Sequence, residues 1–402
     1  MTESWAWRPL GELFELGAGK TMSAAARAGP DKIPFLRTSN VFWDRIDLSN
    51  LDAMSLLPRD LPGRLLEPGD LLVCEGGEIG RAAIWDGQIE TVTFQNHLHR
   101  LRPKVADVVP RFYVFFLESA FTQLGIFEGA GNETTIPNLS ASRLAALEVP
   151  HPPVNVQRSI TTVLSAVRRA LETQGSLAEL AQELRSALME RLLTDGLGGM
   201  PKRDSEIGPV PEAWTVGRVI EFAEFQRGFD ITKKEQVRSG NVPVVSSGGI
   251  KSHHDVAAVE GPGVVVGRKG SIGSLHFVDS DFWPHDTTLW CRDFRGNVPK
   301  FVYYRLHQVD MKKLDSGATN PALNRNFLHD ELISWPSVEE QALIVAIIES
   351  IEDKIGLHHA KSELFNELYL SMLHGLMTGA IAAGAVDLSA LSDPDLAMAG
   401  VA

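Results

Sequence analysis

Residues 152–172 read PPVNVQRSITTVLSAVRRALE, and residues 336–356 read PSVEEQALIVAIIESIEDKIG. Laid over each other at an offset of 184 residues, Pro152 falls on Pro336 and Gln157 on Gln341. Ile160, Leu164, Val167 and Leu171 fall on Ile344, Ile348, Ile351 and Ile355. Spacings of 4, 3 and 4 are the apolar stripe of a coiled-coil helix. The offset then holds without a gap: Leu180, Leu184, Leu188 and Leu192 fall on Leu364, Leu368, Met372 and Leu376, and Thr194 on Thr378. From Val156 to Leu193 there is no proline, and Gly175 is the one weak point. Ser337 with Glu340 gives a capping-box start after Pro336, and Asn155 is the expected N-cap of the first helix. At 1.5 Å per residue each helix would be roughly 57 Å long. Two equally long helices with matching stripes are expected to pack antiparallel. The expected seam is Ile160, Leu164, Val167, Leu171 and Leu184 against Ile344, Ile348, Ile351, Ile355 and Leu368.

Outward from these helices the duplication continues, with drifting offsets. Trp5, Glu12, Glu15 and Gly19 match Trp214, Glu221, Glu224 and Gly228 at 209 residues. Leu71-Leu72-Val73 leading into Gly77-Glu78-Ile79-Gly80 matches Val264-Val265-Val266 leading into Gly270-Ser271-Ile272-Gly273 at 193. Ile136-Pro137-Asn138-Leu139 matches Asn320-Pro321-Ala322-Leu323 at 184. The front part of each half therefore tolerates insertions, as surface loops do, and the helical part does not. Short apolar runs between Gly-rich turns (Ile33–Phe35, Leu71–Val73, Val242–Val245, Val264–Val266) predict small domains of mixed α/β (α+β) class. Pro110 and Pro299 each open a helix within them. The expected organisation is a first recognition domain over 1–154, a long helix over 155–195 and a Gly/Pro-rich linker over 196–213. A second domain over 214–337, a second long helix over 338–378 and a frayed Ala/Gly-rich tail over 379–402 follow.

The chain has 402 residues, 44% of them hydrophobic, with 38 Lys and Arg against 51 Asp and Glu, a net charge of −13. This length and composition exclude a disordered acidic chain and a disulfide-stapled module. Cys74 and Cys291 stand far apart without metal-ligand spacing and read as buried thiols of a reducing compartment. No export signal or membrane-length apolar run is present, so the cytoplasm is expected. The acidic balance argues against a solitary duplex binder, because such binding rests on phosphate neutralisation.

Catalytic signals fail one by one. Gly17-Ala18-Gly19-Lys20-Thr21 resembles the end of a phosphate loop, but Phe14 stands where that loop needs glycine. Gly77-x-x-Gly80 is a turn. His97 and His99 alternate as on a strand and would share a face, yet they lack a third ligand. His151-Pro152-Pro153-Val154 is a joint between domain and helix rather than a methyltransferase motif. No nucleophile triad or nuclease carboxylate set stands out, so no catalytic residue, metal or cofactor is expected.

Two similar domains on helices of fixed length suit a repeating linear target, and duplex DNA presents half-sites about 34 Å apart per turn. The residues also carry a resemblance. From Trp5 to about Thr378 the chain resembles the specificity subunit of type I restriction–modification systems. The likeness rests on the joint from Ile136-Pro137-Asn138-Leu139 to Gln157-Arg158, its counterpart from Thr319-Asn320-Pro321-Ala322-Leu323-Asn324 to Gln341, and the Pro209-x-Pro211-x-x-Trp214 start of the second copy. Asn155 and Val156 depart from it, where an acidic or polar residue is common, and the tail beyond Thr378 matches nothing. The resemblance implies two domains that each read half of a bipartite, asymmetric site on double-stranded DNA. It further implies helices that bind two methyltransferase subunits, and a motor nuclease subunit that joins for cleavage.

If the partners supply phosphate contacts, the domains need only local polar groups, since arginine, lysine, asparagine and glutamine read base edges. Candidates in the first domain are Lys20, Thr21, Arg37, Thr38, Ser39, Asn40, Arg81, Asn96 and His97, joined by Asn132, Thr134 and Thr135. In the second they are Arg227, Lys233, Lys234, Ser246, Ser247, Lys251, Arg268, Lys269, His285, Thr319 and Asn320. Arg37–Asn40 and Ser246–Lys251 each follow a predicted strand directly. At the 193 offset Glu75 matches Arg268, a sign reversal that fits two readers with different preferences and fits drift at a surface site equally. Two alternatives stay open. One is the specificity subunit of a two-subunit enzyme that cuts on both sides of its site. The other is a coiled-coil protein adaptor without DNA binding.

Overall fold

A computed structural model describes residues 5–57, 61, 63–125, 139–232, 240–314 and 322–386. The chain divides into two compact units, and neither is a contiguous stretch. The first joins residues 1–175 to 360–402, and the second is 176–359. Each unit thus holds one globular domain and half of each long helix, unlike the contiguous division expected from the sequence.

In the first unit Phe14–Ala18, Leu98–Pro103, Leu71–Cys74 and Ala82–Ile84 form one antiparallel sheet in that order. Lys32–Leu36 lies between Asp52–Ser55, antiparallel, and Thr93–Phe94, parallel. Ala6–Pro9 pairs with Glu148–His151. The second unit repeats this order strand for strand. Its sheet runs Glu224–Arg227, Thr288–Asp293, Gly263–Gly267, Leu275–Val278, and Val242–Ser246 sits between Gly249–His254 and Trp283–Pro284. Thr215–Arg218 pairs with Leu332–Trp335. Identical pairing order in both units shows that the offsets mark a structural duplication.

The helix Pro110–Thr122 is buried along its length from Phe112 to Ala120. It is apolar on all sides because it is covered on both: by Leu71, Val73 and Leu101 of the sheet, and by Ile160, Leu164 and Val167 of the long helix. Pro299–Leu306 takes this place in the second unit, with Ile344 and Ile348 behind it.

The first long helix spans Val154–Asp195 and the second Val338–Met377. Asn155 is exposed inside the first helix rather than its N-cap. Gly175 does not interrupt the helix, and no side chain meets it within 4 Å. Within each unit the N-terminal half of one helix lies beside the C-terminal half of the other. Ile160, Leu164 and Val167 pack with Tyr369, Met372 and Leu376 in the first unit, and Leu192 and Leu193 with Ile344, Val345 and Ile348 in the second.

The buried or half-buried seam runs Gln157, Ile160, Leu164, Val167, Leu171, Gln174, Ala178, Ala181, Arg185, Leu188, Leu192. The same positions 184 residues on, from Gln341 through Ile344, Ile348, Ile351, Ile355 and His358 to Tyr369, Met372 and Leu376, are covered likewise. Steps of three and four alternate throughout, which is a heptad repeat. Leu184 and Leu368 do not belong to it. They are 51% and 42% exposed, and Leu180 and Leu364 more so. A leucine ladder with steps of four only drifts around the helix, and these residues end one position ahead of the seam.

Gln157 and Gln341 are fully buried and do the same work. The side-chain oxygen of Gln157 accepts from the Val109 N–H at 2.9 Å, just before Pro110, and its amide donates to the Asp107 and Pro152 carbonyls. Gln341 accepts from the Val298 N–H at 2.9 Å, just before Pro299, and donates to Asn297 and Pro336. Each glutamine satisfies backbone groups at the start of the domain helix and so locks that helix to the long one.

A second lock differs between the units. In the first, Arg168 bonds Glu118 of the domain helix and Tyr369 of the second long helix, with Asp44 3.7 Å away. In the second, Glu352 accepts from Arg185 at 2.6 Å and from Tyr304 of the domain helix at 2.9 Å. Arg168 and Glu352 are matched positions, as are Arg185 and Tyr369. The same three side-chain types thus serve in both units with their places exchanged.

The tail is ordered further than its composition suggests. After Gly379, Ala383–Ala385 form a short 3₁₀ turn, and Ala383 and Val386 pack on the first unit's core. Residues 387–402 lie outside the described residues.

Candidate nucleic-acid interface

Loops that are distant in sequence meet at one end of each sheet, and backbone hydrogen bonds hold them there. In the first unit Lys20 N–H donates to Phe94, Gln95 to Leu36, Glu75 to His97 and Leu139 to Glu75, at 2.9 Å each. In the second unit His285 N–H donates to Val245 at 2.8 Å, Arg268 to Thr287 at 2.8 Å and Leu323 to Arg268 at 2.9 Å. Gly19 and Gly228 explain why glycine recurs there. A Cβ at either would lie 2.2 Å from a backbone oxygen, that of Gln95 or His285. The phosphate-loop resemblance of Gly17–Thr21 is therefore a strand end pressed against its neighbour.

The candidate side chains divide sharply. Thr21, Ser39, His97, Arg227, Lys251 and Lys269 are exposed, and Lys20, Arg37, Thr38, Arg81, Asn96, Arg268 and His285 half-buried, all at this end or beside it. Three candidates are corrected. Asn40 is buried. Its oxygen accepts from the Arg37 N–H at 2.9 Å, and its amide donates to the Asp47 and Asn50 carbonyls. Ser246 is buried with its hydroxyl on the Gly249 carbonyl at 2.9 Å. Ser247 is buried, and its carbonyl accepts from Ser274 and lies 3.2 Å from His276 Nε2. All three hold turns together and offer nothing outward. His97 and His99 do not share a face either, for His99 is buried on the Leu139 carbonyl at 2.8 Å. Lys233, Lys234, Asn132, Thr134, Thr135, Thr319 and Asn320 lie outside the described residues.

Charge is arranged differently at the two ends. In the first unit Arg37 pairs with Asp52 at 2.7 Å and Arg81 with Glu78 at 3.2 Å. Arg45 and Arg81 also lie over opposite parts of one environment, the Phe42 ring, at 4.4 and 5.2 Å. Arg45 carried no sequence signal beyond its charge. In the second unit an open cleft of about 330 Å³ is lined by Arg227, Arg268, Leu289, Ala322, Leu323, Asn324 and Arg325. Asp230 and Asp286 hold Arg227, at 2.9 and 3.2 Å. Among the described residues Arg268, Arg325 and Lys269 have no carboxylate partner. Arg325, exposed at the start of a short helix, escaped the sequence reading because it follows the Asn320–Leu323 motif without a pattern of its own.

Nothing here is set up for covalent chemistry. Burial pushes the Cys74 thiol up to about 12 and raises Cys291 as well, so both stay protonated and inert. Among the described residues no group of three or more metal-ligating side chains comes together, and no helix is long and apolar enough to cross a membrane. What the surface offers is hydrogen-bond donors and cations on loop ends held by a rigid sheet.

The comparisons agree with this geometry. A family model described as the type I restriction modification DNA specificity domain matches residues 2–182 and again 211–366. The chain belongs to this family. Its two matched regions are the two specificity domains, each with its long helix. Among curated proteins it is 23% identical over 407 residues, 94% of both chains, to the putative type I restriction enzyme MjaX specificity subunit of Methanocaldococcus jannaschii. The MjaVIII specificity subunit of the same organism is 24% identical over 69% of this chain and 71% of its own. The solved S subunit from M. genitalium shares the fold, with a TM-score of 0.58, 16% identity, and coverage of 93% of this chain and 96% of that one.

Proposed function

We propose that this chain is the non-catalytic specificity subunit of a type I restriction–modification complex, and that its two specificity domains each read one half of a bipartite, asymmetric DNA site. The observation that carries this reading is the pair of matched loop ends: one backbone frame in both units, furnished with different side chains. One frame supports a common way of meeting DNA, and different side chains support different half-sites. The long helices then set the length of the unspecified spacer.

The helices also offer a docking face. Leu177, Leu180, Leu184, Leu343, Ile347 and Leu357 in the second unit, and Leu364 and Leu368 in the first, are all exposed. Every one stands a single position ahead of a seam residue, so all lie on one flank of their helix, away from the flank of Arg168 and Glu352. Exposed apolar stripes of this kind mark protein interfaces. Leu180 and Leu364 are matched positions, as are Leu184 and Leu368, which supports two copies of one partner, a methyltransferase subunit. That partner supplies the phosphate contacts that a chain of net charge −13 lacks.

One experiment tests both parts. The chain co-expressed with its methyltransferase should retain duplex DNA on a filter, with affinity falling steeply as salt rises. The double variant Leu180→Asp with Leu364→Asp should stay folded, since both side chains are exposed, yet lose the methyltransferase and the DNA with it. Salt-insensitive or absent retention by the parent complex would favour a protein adaptor.

A further inference from the structure

We propose that Arg268, assisted by Arg325, reads a guanine in the half-site bound by the second domain. Glu75, at the matched place in the first domain, takes an exocyclic amino group of its own half-site. This inference rests on the DNA-reading role proposed above and assigns it a chemistry.

The argument starts from the backbone. Arg268 N–H donates to the Thr287 carbonyl at 2.8 Å, and its carbonyl accepts from Leu323 N–H at 2.9 Å. Glu75 N–H donates to the His97 carbonyl, and its carbonyl accepts from Leu139 N–H, both at 2.9 Å. The two residues are therefore held at the same point of the same frame, and only their side chains differ. Around Arg268 the cleft adds Arg227 and Arg325. The matched positions of the first domain are Ala18 and Ala141, so no second cation accompanies Glu75 there. Its near neighbour is His97, at 4.0 Å.

This reversal discriminates between the two things an arginine can meet on DNA. A position that faced the phosphate backbone in both domains could not carry glutamate in one, because the anion would be repelled. A position that faces base edges can carry either sign. Guanine shows two acceptors, N7 and O6, which match an arginine fork, whereas cytosine N4 is a donor that a carboxylate accepts. Arg227 is already engaged by Asp230 and Asp286. Arg268 and Arg325 are the cleft cations without a carboxylate partner among the described residues, and of these Arg268 has the doubly anchored backbone.

The test is methylation of a DNA library randomised in both half-sites, using the chain assembled with its methyltransferase. For the parent, one half-site should require guanine at a defined position. Arg268→Ala should relax that position alone, with discrimination falling about ten- to a hundredfold, and leave the other half-site unchanged. Arg268→Lys should restore less than a tenth of the lost discrimination, since a point charge cannot replace the fork. Glu75→Gln should alter one position of the other half-site. Thermal melting should match the parent for all three. Even weakening of every sequence by Arg268→Ala, or relaxation of a position that is not guanine, would overturn the inference while leaving DNA reading intact. A parent complex without any sequence preference would remove the DNA-reading role itself.

Discussion

Replacing Arg168 with methionine lowers the stability of the chain by about 3–5 kcal/mol at pH 8, and by clearly less at pH 5.5. Arg168 is only 8% exposed and bonds Glu118 and Tyr369, with Asp44 close by. Removing it leaves acidic groups buried with less counter-charge, and Asp44 keeps only Arg111, at 3.0 Å. Glu118 decides the pH dependence. Burial pushes its pKa from 4.5 up to about 7, although Arg168 pulls the other way. An acid raised in the folded chain stabilises fully below its ordinary value, and that contribution is lost as pH rises through the folded value. The parent therefore loses Glu118's contribution between about pH 4.5 and 7. Without Arg168 the folded pKa climbs further, so at pH 5.5 the carboxyl is neutral and the methionine is tolerated better. At pH 8 ionisation is costly in both states of the site, and the missing guanidinium is felt in full. Urea unfolding of both chains at the two pH values checks this. An equal loss at pH 5.5 and pH 8 would mean that Glu118 is not the group responsible.

Inserting seven residues into each long helix, after Gly175 and before Ser362, should leave both units folded and lengthen the unspecified spacer of the modified site. Arg168 meets Tyr369 and Arg185 meets Glu352, so the pairing register puts position 175 opposite 362. Seven residues continue the seam's alternation of three and four, whereas four residues rotate everything beyond them off the seam. A heptad adds about 10 Å to each helix. Along a duplex with a rise of about 3.4 Å this is roughly three base pairs. Methylation at the parent sites should vanish and reappear at sites with the longer gap. Paired four-residue insertions should lower the melting temperature instead. An unchanged gap after the heptad insertion would show that the helices do not measure the spacer.

The sequence reading succeeded where length is constrained and failed where one residue type serves two ends. A heptad seam between two helices admits no uncompensated insertion, so the 184-residue offset survives and exposes the duplication. Buried runs such as Leu71–Cys74 stand out for the same reason, because a central strand must be apolar on both faces. Leucine alone does not report burial: Leu184 and Leu368 sit one position off the seam, where small and polar residues such as Ala181 and Ser362 fill it. Likewise Asn40, Ser246 and Ser247 follow strands in the manner expected of DNA-reading loops, yet asparagine and serine are also the residues that close turns. Only the hydrogen bonds separate the two uses. Arg325 became visible through the cleft it shares with Arg268, an association between residues 57 positions apart that no local pattern announces.

The most direct test of the whole account is a map of modified bases in DNA from cells that make this chain together with its methyltransferase, set against cells that make the methyltransferase alone. Two unlike specified sequences on either side of a gap of constant length, present only when this chain is present, are the predicted result. A single uninterrupted motif, a palindrome, or the same pattern without the chain would contradict it.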